Sequence, residues 1–446
     1  MIWTNWARNV SVTPVRQEQP ASEDELSDAV RRAVKDGHTV RVVGGGHSFT
    51  PAAATEGVQL SLDRLNALHR VERDPDTGHA LVTVGAGMRL HQLNQILAER
   101  GLAMQNLGDI DRQSIAGAIS TGTHGTGAKF GGLATRVRAL TVVGPDGEVT
   151  HASPTEQHDL FEASRLGLGA TGVLSTVTIE AVPAFDLHAV EEPWPLDRVL
   201  EGVHDLVAEH DHFEFYWFPT TRRALTLRNT RVDAGTSAGS GLAHRARKAA
   251  GAARSFLDEE VLSNGLFEAV NRVATAVPSA TPTLNAVAAR ALSARRYTAP
   301  SHEVFCTNRR VRFREMEYAV PRDAVVGVLG EIDAWQRSTG ENVPFPIEVR
   351  FAPADDVWLS TAYGRETAYV AVHQYWRLPY ARYFDAAEQI LTAAGGRPHW
   401  GKLHTRDAEY LEGQYRRLPD FRRVRDAADP EGVFANPYTQ RVFGFA

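Results

Sequence analysis

The sequence is poor in the features that mark secreted, membrane-spanning and nucleic-acid-binding proteins. One cysteine, Cys306, occurs in 446 residues, so no disulfide can form within the chain. No run of about 18 apolar residues is present, and the opening MIWTNWARNV lacks the apolar stretch of a signal peptide. The net charge is −6 and no basic block appears, which disfavours nucleic acid as a partner. These absences predict a globular protein of the reducing cytoplasm; membrane association is left open but not indicated.

The length implies more than one domain, because a single hydrophobic core rarely exceeds about 250–300 residues. Glycine-rich stretches become less frequent after Pro183, which indicates a domain boundary. The Ala- and Arg-rich stretch 233–298 predicts a helical insertion with solvated arginines, or else a face for a partner or a membrane surface. The stretch EVFCTNRR around Cys306 predicts a strand, which disfavours an activated thiol.

Local patterns predict several elements of the first part of the chain. Ser22 and Glu25 have the spacing of a capping box at the start of a helix over 22–37. Strands are predicted at 39–43, 58–62 and 79–87, followed by a second helix over 89–101. The stretch 104–128 predicts loop or short helix, and a hairpin follows that turns at Pro145-Asp146-Gly147.

Two glycine-rich loops lie in this part, GGG at 44–46 and the stretch 117–127. Neither has the spacing of a P-loop or of a Rossmann dinucleotide site. A different nucleotide cradle and a pair of tight turns without ligand both remain open. His47 directly follows the first loop, and a phosphate cradle has no use for an imidazole.

Other polar residues form possible sites in the second half. In FPIEVRF, Glu348 and Arg350 alternate on a predicted strand and therefore share a face; they form either a surface ion pair or the wall of a polar pocket. His204, His210 and His212 lie close in sequence but lack a clear set of metal ligands. His399 and His404 are five residues apart, which does not match a zinc-binding helix. No metal site is predicted.

Taken together, GGGHSF, SIAGAISTGTHGTG, GATGVLSTVTIE, EVR and HWGK resemble the vanillyl-alcohol-oxidase flavoprotein family. Within it they are similar to the sugar-1,4-lactone oxidoreductases and to the neighbouring alditol oxidases. The resemblance implies an α+β, two-domain FAD-binding fold of the PCMH type with a C-terminal cap built on an antiparallel sheet. It implies an FAD-binding domain at 1–183, a substrate or cap domain at 184–425, and a segment at 426–446 that returns to the FAD domain.

The resemblance also implies FAD as cofactor, bonded covalently to His47 at its 8α-methyl group. The second glycine loop and the stretch TGVLSTVTI match further segments that contact FAD. The residues expected at the cofactor are Gly44, Gly45, Gly46, His47, Ser48, Ala86, Asp109, Gly117, Ser120, Thr121, Gly122, His124, Gly172 and Val177.

On the substrate side the resemblance implies that Glu348 and Arg350 bind hydroxyl groups, that Lys402 lies near flavin N1, and that His373 faces the reacting carbon. Asp109 stands where the alditol oxidases have a serine, which favours the lactone branch. The function expected is oxidation of L-gulono-1,4-lactone or an isomer by hydride transfer to flavin N5, giving ascorbate or an analogue. The alternatives are an alditol oxidase acting on an open-chain polyol and a non-catalytic flavin-binding protein.

The stretch VTVGAGMRL gives an indication of which electron acceptor the protein uses. Related flavoenzymes are thought to admit oxygen past a glycine over the flavin and to exclude it with an alanine. Ala86 matches that position, so a dehydrogenase that prefers a dye or cytochrome-like acceptor to oxygen is expected. The alternative is that Ala86 is only a packed residue at a strand end.

Overall fold

The computed structural model describes residues 1–236, 264–307 and 311–444. A short hairpin of β1 (Trp3–Thr4) and β2 (Ser11–Val12) precedes three larger sheets. The combination of helices with mainly antiparallel sheets confirms the predicted α+β class.

The first of the larger sheets is parallel and has three strands in the order β3-β5-β4. Its elements are β3 (Arg16–Glu18), α1 (Glu23–Lys35), β4 (Val40–Val43) and β5 (Val58–Ser61). Helix α1 begins as predicted, because the Ser22 side chain accepts a hydrogen bond from the Glu25 backbone N–H at 3.1 Å. The sheet ends where the GGG loop begins, so β4 fixes the start of that loop.

The second sheet has six strands in the order β10-β9-β11-β7-β6, with β8 paired to β11. The strands are β6 (Leu68–Arg73), β7 (Ala80–Gly85), β8 (Leu102–Ala103), β9 (Val137–Val143), β10 (Val149–Ala152) and β11 (Val173–Pro183). The helices are α2 (Leu90–Ala98), α3 (Ile115–Ser120) and α4 (His158–Arg165). The predicted hairpin is confirmed as β9-β10, and α3 is a short helix inside the predicted loop region 104–128.

The third sheet has eight strands in the order β15-β12-β14-β13-β17-β18-β16-β19, and its pairings are antiparallel. We call it the cap sheet. Its strands are β12 (Phe185–Pro195), β13 (His212–Trp217), β14 (Arg223–Asp233), β15 (Arg295–Pro300), β16 (Phe313–Pro321), β17 (Ile347–Ala352), β18 (Thr367–Tyr375) and β19 (Arg397–Pro398). The helices in this part are α5 (Leu196–Glu201), α6 (Val203–Glu209), α7 (Asn264–Ala276), α8 (Thr281–Ala291), α9 (Ser301–Phe305), α10 (Val325–Thr339) and α11 (Ala381–Ala393).

The two faces of the cap sheet differ in polarity. Helices α5, α6, α10 and α11 share a core with one face, which takes Ile347, Val349 and Phe351 from β17. Because side chains alternate along a strand, Glu348 and Arg350 lie on the opposite face. The same alternation in β13, β16 and β18 places further polar residues on that face, so the cap sheet offers one apolar and one polar surface.

Two predictions for this part need correction. The insertion predicted at 233–298 contains α7 and α8, but it ends earlier, since Arg295–Pro300 pairs with β12 as a strand; residues 237–263 lie outside the described residues. The strand predicted around Cys306 is wrong: Ser301–Phe305 is a helix and Cys306 follows its end. Burial raises the pKa of the Cys306 thiol to about 12, which keeps it protonated. No helix within the described ranges is both long enough and apolar enough to cross a bilayer.

The last part of the chain packs against the first. It comprises α12 (Ala408–Gln414), α13 (Leu418–Ala428) and α14 (Pro437–Phe443). Leu411, Tyr415 and Phe421 already belong to the core that α1 and the second sheet share. The return to the FAD-binding part therefore begins before residue 426, the predicted start, because the apolar faces of α12 and α13 are buried there.

Candidate active site

The GGG loop lines a cleft of about 1020 Å³, which we call the glycine cleft. Its walls include Gly44, Gly45, Gly46, Gly117 and Gly172, so little side-chain volume obstructs it. Small residues therefore leave room for a large ligand along exposed backbone.

Glycine is required at the start of the loop. A Cβ atom on Gly44 would lie 2.3 Å from the Ser114 hydroxyl oxygen, and one on Gly45 would lie 2.7 Å from the carbonyl oxygen of Arg112. Gly46 has φ +65°, which side chains rarely tolerate. The loop consequently keeps its backbone N–H groups uncovered, as an anion-binding turn requires.

Arg41 forms part of the wall of the glycine cleft. Its buried guanidinium donates to the carbonyl oxygens of Ala52, Phe434 and Leu168 at 2.5 to 2.8 Å. Burial lowers the pKa of Arg41 to about 10, so the group stays charged at neutral pH. Phe434 also lines the cleft. Arg41 thus joins three distant segments of chain around one cavity.

A second cavity of about 1240 Å³ lies between the first part of the chain and the polar face of the cap sheet. We call it the polar chamber. Four residues, His47, Ser48, Gln113 and Thr121, line both cavities. A ligand extending from the glycine cleft into the polar chamber therefore passes the His47 imidazole.

Arg350 is the centre of a buried charge cluster beside the chamber. It contacts Asp109, Glu348 at 2.5 Å and Glu214 at 2.8 Å. The Tyr216 hydroxyl donates to Glu348 Oε1 at 2.7 Å. Burial lowers the pKa of Arg350 to about 9. The cluster fixes a planar cation among carboxylates, which suits recognition of hydroxyl groups through paired donors and acceptors.

Lys402 supplies a second cation. Its Nζ lies 2.5 Å from Glu315 Oε2, and His373 Nε2 lies 3.5 Å from the other oxygen of the same carboxylate. Burial alone raises the pKa of Glu315, but Lys402 and His373 together bring it below its ordinary value. Lys402 and Glu315 both line the chamber, so they form an ion pair in its wall.

A third pair joins the cap to the second glycine loop. His124 Nε2 lies 2.7 Å from Glu317 Oε1, and its Nδ1 lies 2.9 Å from the carbonyl oxygen of Gly125. Although burial opposes it, His124 lowers the pKa of Glu317 to about 2. Both ring nitrogens of His124 therefore face oxygen atoms. The His124 ring also stacks on Tyr369, with centroids 3.5 Å apart.

His47 has different surroundings. Burial, followed by the charges of Arg89, Lys402 and Arg112, lowers the pKa of the His47 imidazole to about 4. Its ring stacks on Trp6, with centroids 5.7 Å apart and planes at 28°. The imidazole is therefore neutral at physiological pH, and a neutral imidazole carries the lone pair that a nucleophile needs.

Most residues predicted from the sequence line one of the two cavities. The glycine cleft contains Gly44, Gly45, Gly46, His47, Ser48, Gly117, Ser120, Thr121 and Gly172, and the polar chamber contains Asp109, His124, Glu348, Arg350 and Lys402.

Four predicted residues lie off both linings: Ala86, Gly122, Val177 and His373. Ala86 is fully buried at the end of β7, and its neighbour Gly87 lines the cleft instead. Gly122 has φ +76°, a backbone conformation that explains why the residue at this position is glycine. His373 is enclosed by Phe313 and Phe345 and faces Glu315. The family resemblance implied that His373 faces the reacting carbon, and a side chain enclosed in this way does not match that role.

Sequence reasoning missed Glu315, Glu317 and Glu214. Glu315 and Glu317 alternate in FREMEYAV, and Glu214 alternates with apolar residues in HFEFYW. Buried carboxylates on otherwise apolar strands are costly unless paired, so this alternation was a usable signal.

Within residues 1–236, 264–307 and 311–444, carboxylate and imidazole groups converge at three places, namely His124–Glu317–His399, Glu315–Glu348–His373 and Asp109–Glu214–Glu348. In the first, His399 Nδ1 accepts from the Gly401 N–H at 3.0 Å and both His124 nitrogens are bonded. Hydrogen bonding thus occupies these nitrogens. Among the described residues, His204, His210 and His212 do not form such a group.

Comparison with known proteins agrees with this geometry. Residues 177–442 match the family described as D-arabinono-1,4-lactone oxidase, and residues 18–153 match the FAD binding domain. The second match spans the GGG loop and the loop at 117–127, whose glycines carry no side chain and so leave space for the cleft. The residues present therefore fit FAD, and FAD is confirmed as the cofactor, whereas its covalent attachment stays a prediction.

Curated relatives cover nearly the whole chain. An L-gulono-1,4-lactone dehydrogenase from Mycobacterium tuberculosis is 40% identical over 443 residues, 99% of each chain. The L-gulonolactone oxidase of Mus musculus is 31% identical, over 98% of this chain and 97% of its own. A D-arabinono-1,4-lactone oxidase from Eremothecium gossypii is 28% identical, over 97% and 93%.

Among solved structures, cholesterol oxidase from B. sterolicum has a TM-score of 0.79 at 18% identity, over 99% of this chain and 96% of its own. A likeness at this identity concerns the fold, and it confirms the predicted two-part FAD-binding architecture.

Proposed function

We propose that this chain, which belongs to the D-arabinono-1,4-lactone oxidase family, is an FAD-dependent oxidoreductase. Its substrate is a sugar 1,4-lactone, namely L-gulono-1,4-lactone or an isomer. The observation that carries the proposal is the polar chamber, whose cations and carboxylates adjoin the glycine cleft at His47. Bound FAD supplies the hydride acceptor for the reaction. The expected product is ascorbate or an analogue.

The chain's own residues would bind and orient the lactone. Arg350 is held by three carboxylates and keeps a fixed direction, so it can donate to ring and hydroxyl oxygens without reorganising. Glu348 offers an acceptor to hydroxyl groups beside it. Lys402 adds positive charge to the chamber wall, which favours negative charge developing nearby. Aromatic residues Trp6, Phe49 and Phe313 also line the chamber, where they would exclude water from a bound lactone.

We also propose that FAD is attached covalently through His47. The neutral imidazole at the junction of the two cavities supports this, because attack on a carbon requires an unprotonated nitrogen. Acid precipitation of the wild type should leave yellow fluorescence on the polypeptide, and His47→Ala should release it. FAD found entirely in the supernatant of wild type would contradict the attachment.

The decisive test of the reaction is anaerobic flavin reduction by a panel of substrates. L-Gulono-1,4-lactone, D-arabinono-1,4-lactone and the open-chain polyols xylitol and sorbitol should be compared at equal concentration. Rapid bleaching by lactones and slow bleaching by polyols is the expected result. Preference for polyols would indicate an alditol oxidase, and no bleaching by either class would indicate a non-catalytic flavin-binding protein. Arg350→Met should abolish lactone-dependent bleaching but leave chemical reduction by dithionite intact.

The acceptor and the cellular location are parts of the same proposal. A dye or cytochrome-like acceptor and oxygen are the two candidates, and steady-state turnover with each would rank them. A cytoplasmic location is proposed from the single, half-buried cysteine.

A further inference from the structure

The His47 imidazole is oriented by packing. Within residues 1–236, 264–307 and 311–444 its ring nitrogens have no hydrogen-bond partner, whereas reactive histidines are commonly fixed by a bond to one nitrogen. One face of the ring stacks on Trp6. At one edge a Cβ on Gly45 would lie 2.9 Å from His47 Cδ2, so the loop passes directly beside the ring. Among the described residues Trp6 is the aromatic side chain that stacks on the imidazole, so it limits rotation of the ring.

Trp6 is itself held to the segment that carries His47. Its backbone N–H donates to the Gly46 carbonyl oxygen at 2.8 Å. On either side, the Asn5 side chain donates to the Ser48 carbonyl oxygen at 2.9 Å and the Asn9 side chain to that of Phe49 at 2.7 Å. Residues 5–9 and 46–49 thus form one hydrogen-bonded unit.

The outer edge of Trp6 is fixed by aromatic contacts. Its ring lies edge-on to Phe49 and Phe313, with centroids 6.4 Å and 5.5 Å away. The ring is only half-buried, and it lines the polar chamber together with His47. Trp6 is consequently rigid on the protein side and open toward the chamber.

We infer that Trp6 is the positioning residue that fixes the orientation of the His47 imidazole for covalent attachment to the methyl group of FAD. The inference rests on the proposed attachment through His47. In that step the imidazole nitrogen bonds to the methyl carbon. One hydrogen from the methyl group and one from the imidazole leave as protons, two electrons enter the ring system, and a two-electron acceptor such as oxygen or a dye removes them.

The expected effect follows from geometry. A displacement of a reacting group by ~1 Å can cost about 10²-fold in rate. Replacing Trp6 with leucine keeps an apolar side chain but removes the flat face against which the imidazole stacks. Trp6→Leu should therefore attach FAD at least about tenfold more slowly, up to that limit, while Trp6→Phe, which keeps an aromatic face, should remain close to wild type.

The test uses apoprotein produced in a riboflavin-starved host. FAD is added with a dye as acceptor, and covalent flavin is followed over time by fluorescence on denaturing gels. Non-covalent binding is measured in parallel by quenching of FAD fluorescence, and folding by thermal unfolding. Trp376→Leu is the matched control, because Trp376 packs against the same aromatic cluster as Trp6 without a ring contact to His47.

Slow attachment in Trp6→Leu with normal FAD binding, near-normal attachment in Trp6→Phe and normal attachment in Trp376→Leu would support the inference. Wild-type attachment kinetics in Trp6→Leu would overturn it while leaving the His47 linkage intact. Equal slowing in Trp376→Leu would also overturn it, since general loosening of the cluster would then be the cause. If wild type binds FAD but never attaches it, the proposed linkage and this inference both fall, although lactone oxidation can still hold.

Discussion

Replacing Lys402 with methionine should slow flavin reduction by the lactone roughly 10²–10³-fold, because a fixed positive charge is removed from the chamber wall. The variant should also be less stable. Lys402 is the 2.5 Å partner of Glu315, whose side chain is 5% exposed, and breaking a buried ion pair from one side costs about 3–5 kcal/mol. We expect about 3 kcal/mol, the lower end, since the Lys402 side chain is 23% exposed and His373 remains beside the carboxylate.

The two effects can be separated by removing the carboxylate as well. In Lys402→Met/Glu315→Gln no buried charge is left unpaired, so the double variant should recover most of the lost stability in thermal unfolding but none of the lost rate in anaerobic stopped flow. The exposed Lys35→Met is the matched control for loss of a lysine. Normal flavin reduction in Lys402→Met, or recovery of the rate in the double variant, would refute the electrostatic role.

The pair should also respond to acid in a defined direction. The pKa of Glu315 is lowered from 4.5 in the folded protein, so the pair contributes stability above about pH 4.5 and loses it as pH falls further. The stability difference between wild type and Lys402→Met should therefore shrink in acid. A constant difference from pH 7 to pH 3, measured by urea unfolding, would contradict this.

Three further outcomes are expected. The pKa of His47 is lowered to about 4, so covalent attachment of FAD should be nearly independent of pH from 5 to 8, whereas a fall below about pH 6.5 would indicate an ordinary histidine. Asp109→Ser should shift the ratio of kcat/KM toward xylitol over the lactone, because it removes a carboxylate from Arg350; an unchanged ratio would exclude Asp109 from substrate selection. Ala86→Gly should leave the oxygen reaction of the reduced enzyme unaltered, since Ala86 lies off both cavities; acceleration in stopped flow would restore the oxygen gate expected from sequence.

Local signals in the sequence were sufficient for elements that depend on neighbouring residues. The cap of α1 at Ser22, the turn at Gly147 and the need for glycine before His47 each follow from backbone chemistry within a few positions. The family resemblance then supplied roles for Glu348 and Arg350, whose position on a strand had left surface and pocket equally open.

The rest depended on which strands become neighbours. Glu214, Glu315 and Glu317 each alternate with apolar residues, but only the order β13-β17-β18-β16 brings them to one face with Arg350. The enclosure of His373 likewise arises from Phe313 and Phe345, residues far from it in sequence. Alternation can assign a side chain to a face, but it cannot tell whether that face is open at that point.

Arg41 also has a consequence for how the protein is made. Its guanidinium bonds to the carbonyl oxygen of Phe434, which follows it by 393 residues and lines the same cleft. At about 5–20 residues per second, a ribosome needs roughly 20–80 s to synthesise that interval. The glycine loop is synthesised early, but Phe434, which completes the lining of the cleft, is missing for all of this time. Flavin loading should therefore be a late event that follows completion of nearly the whole polypeptide.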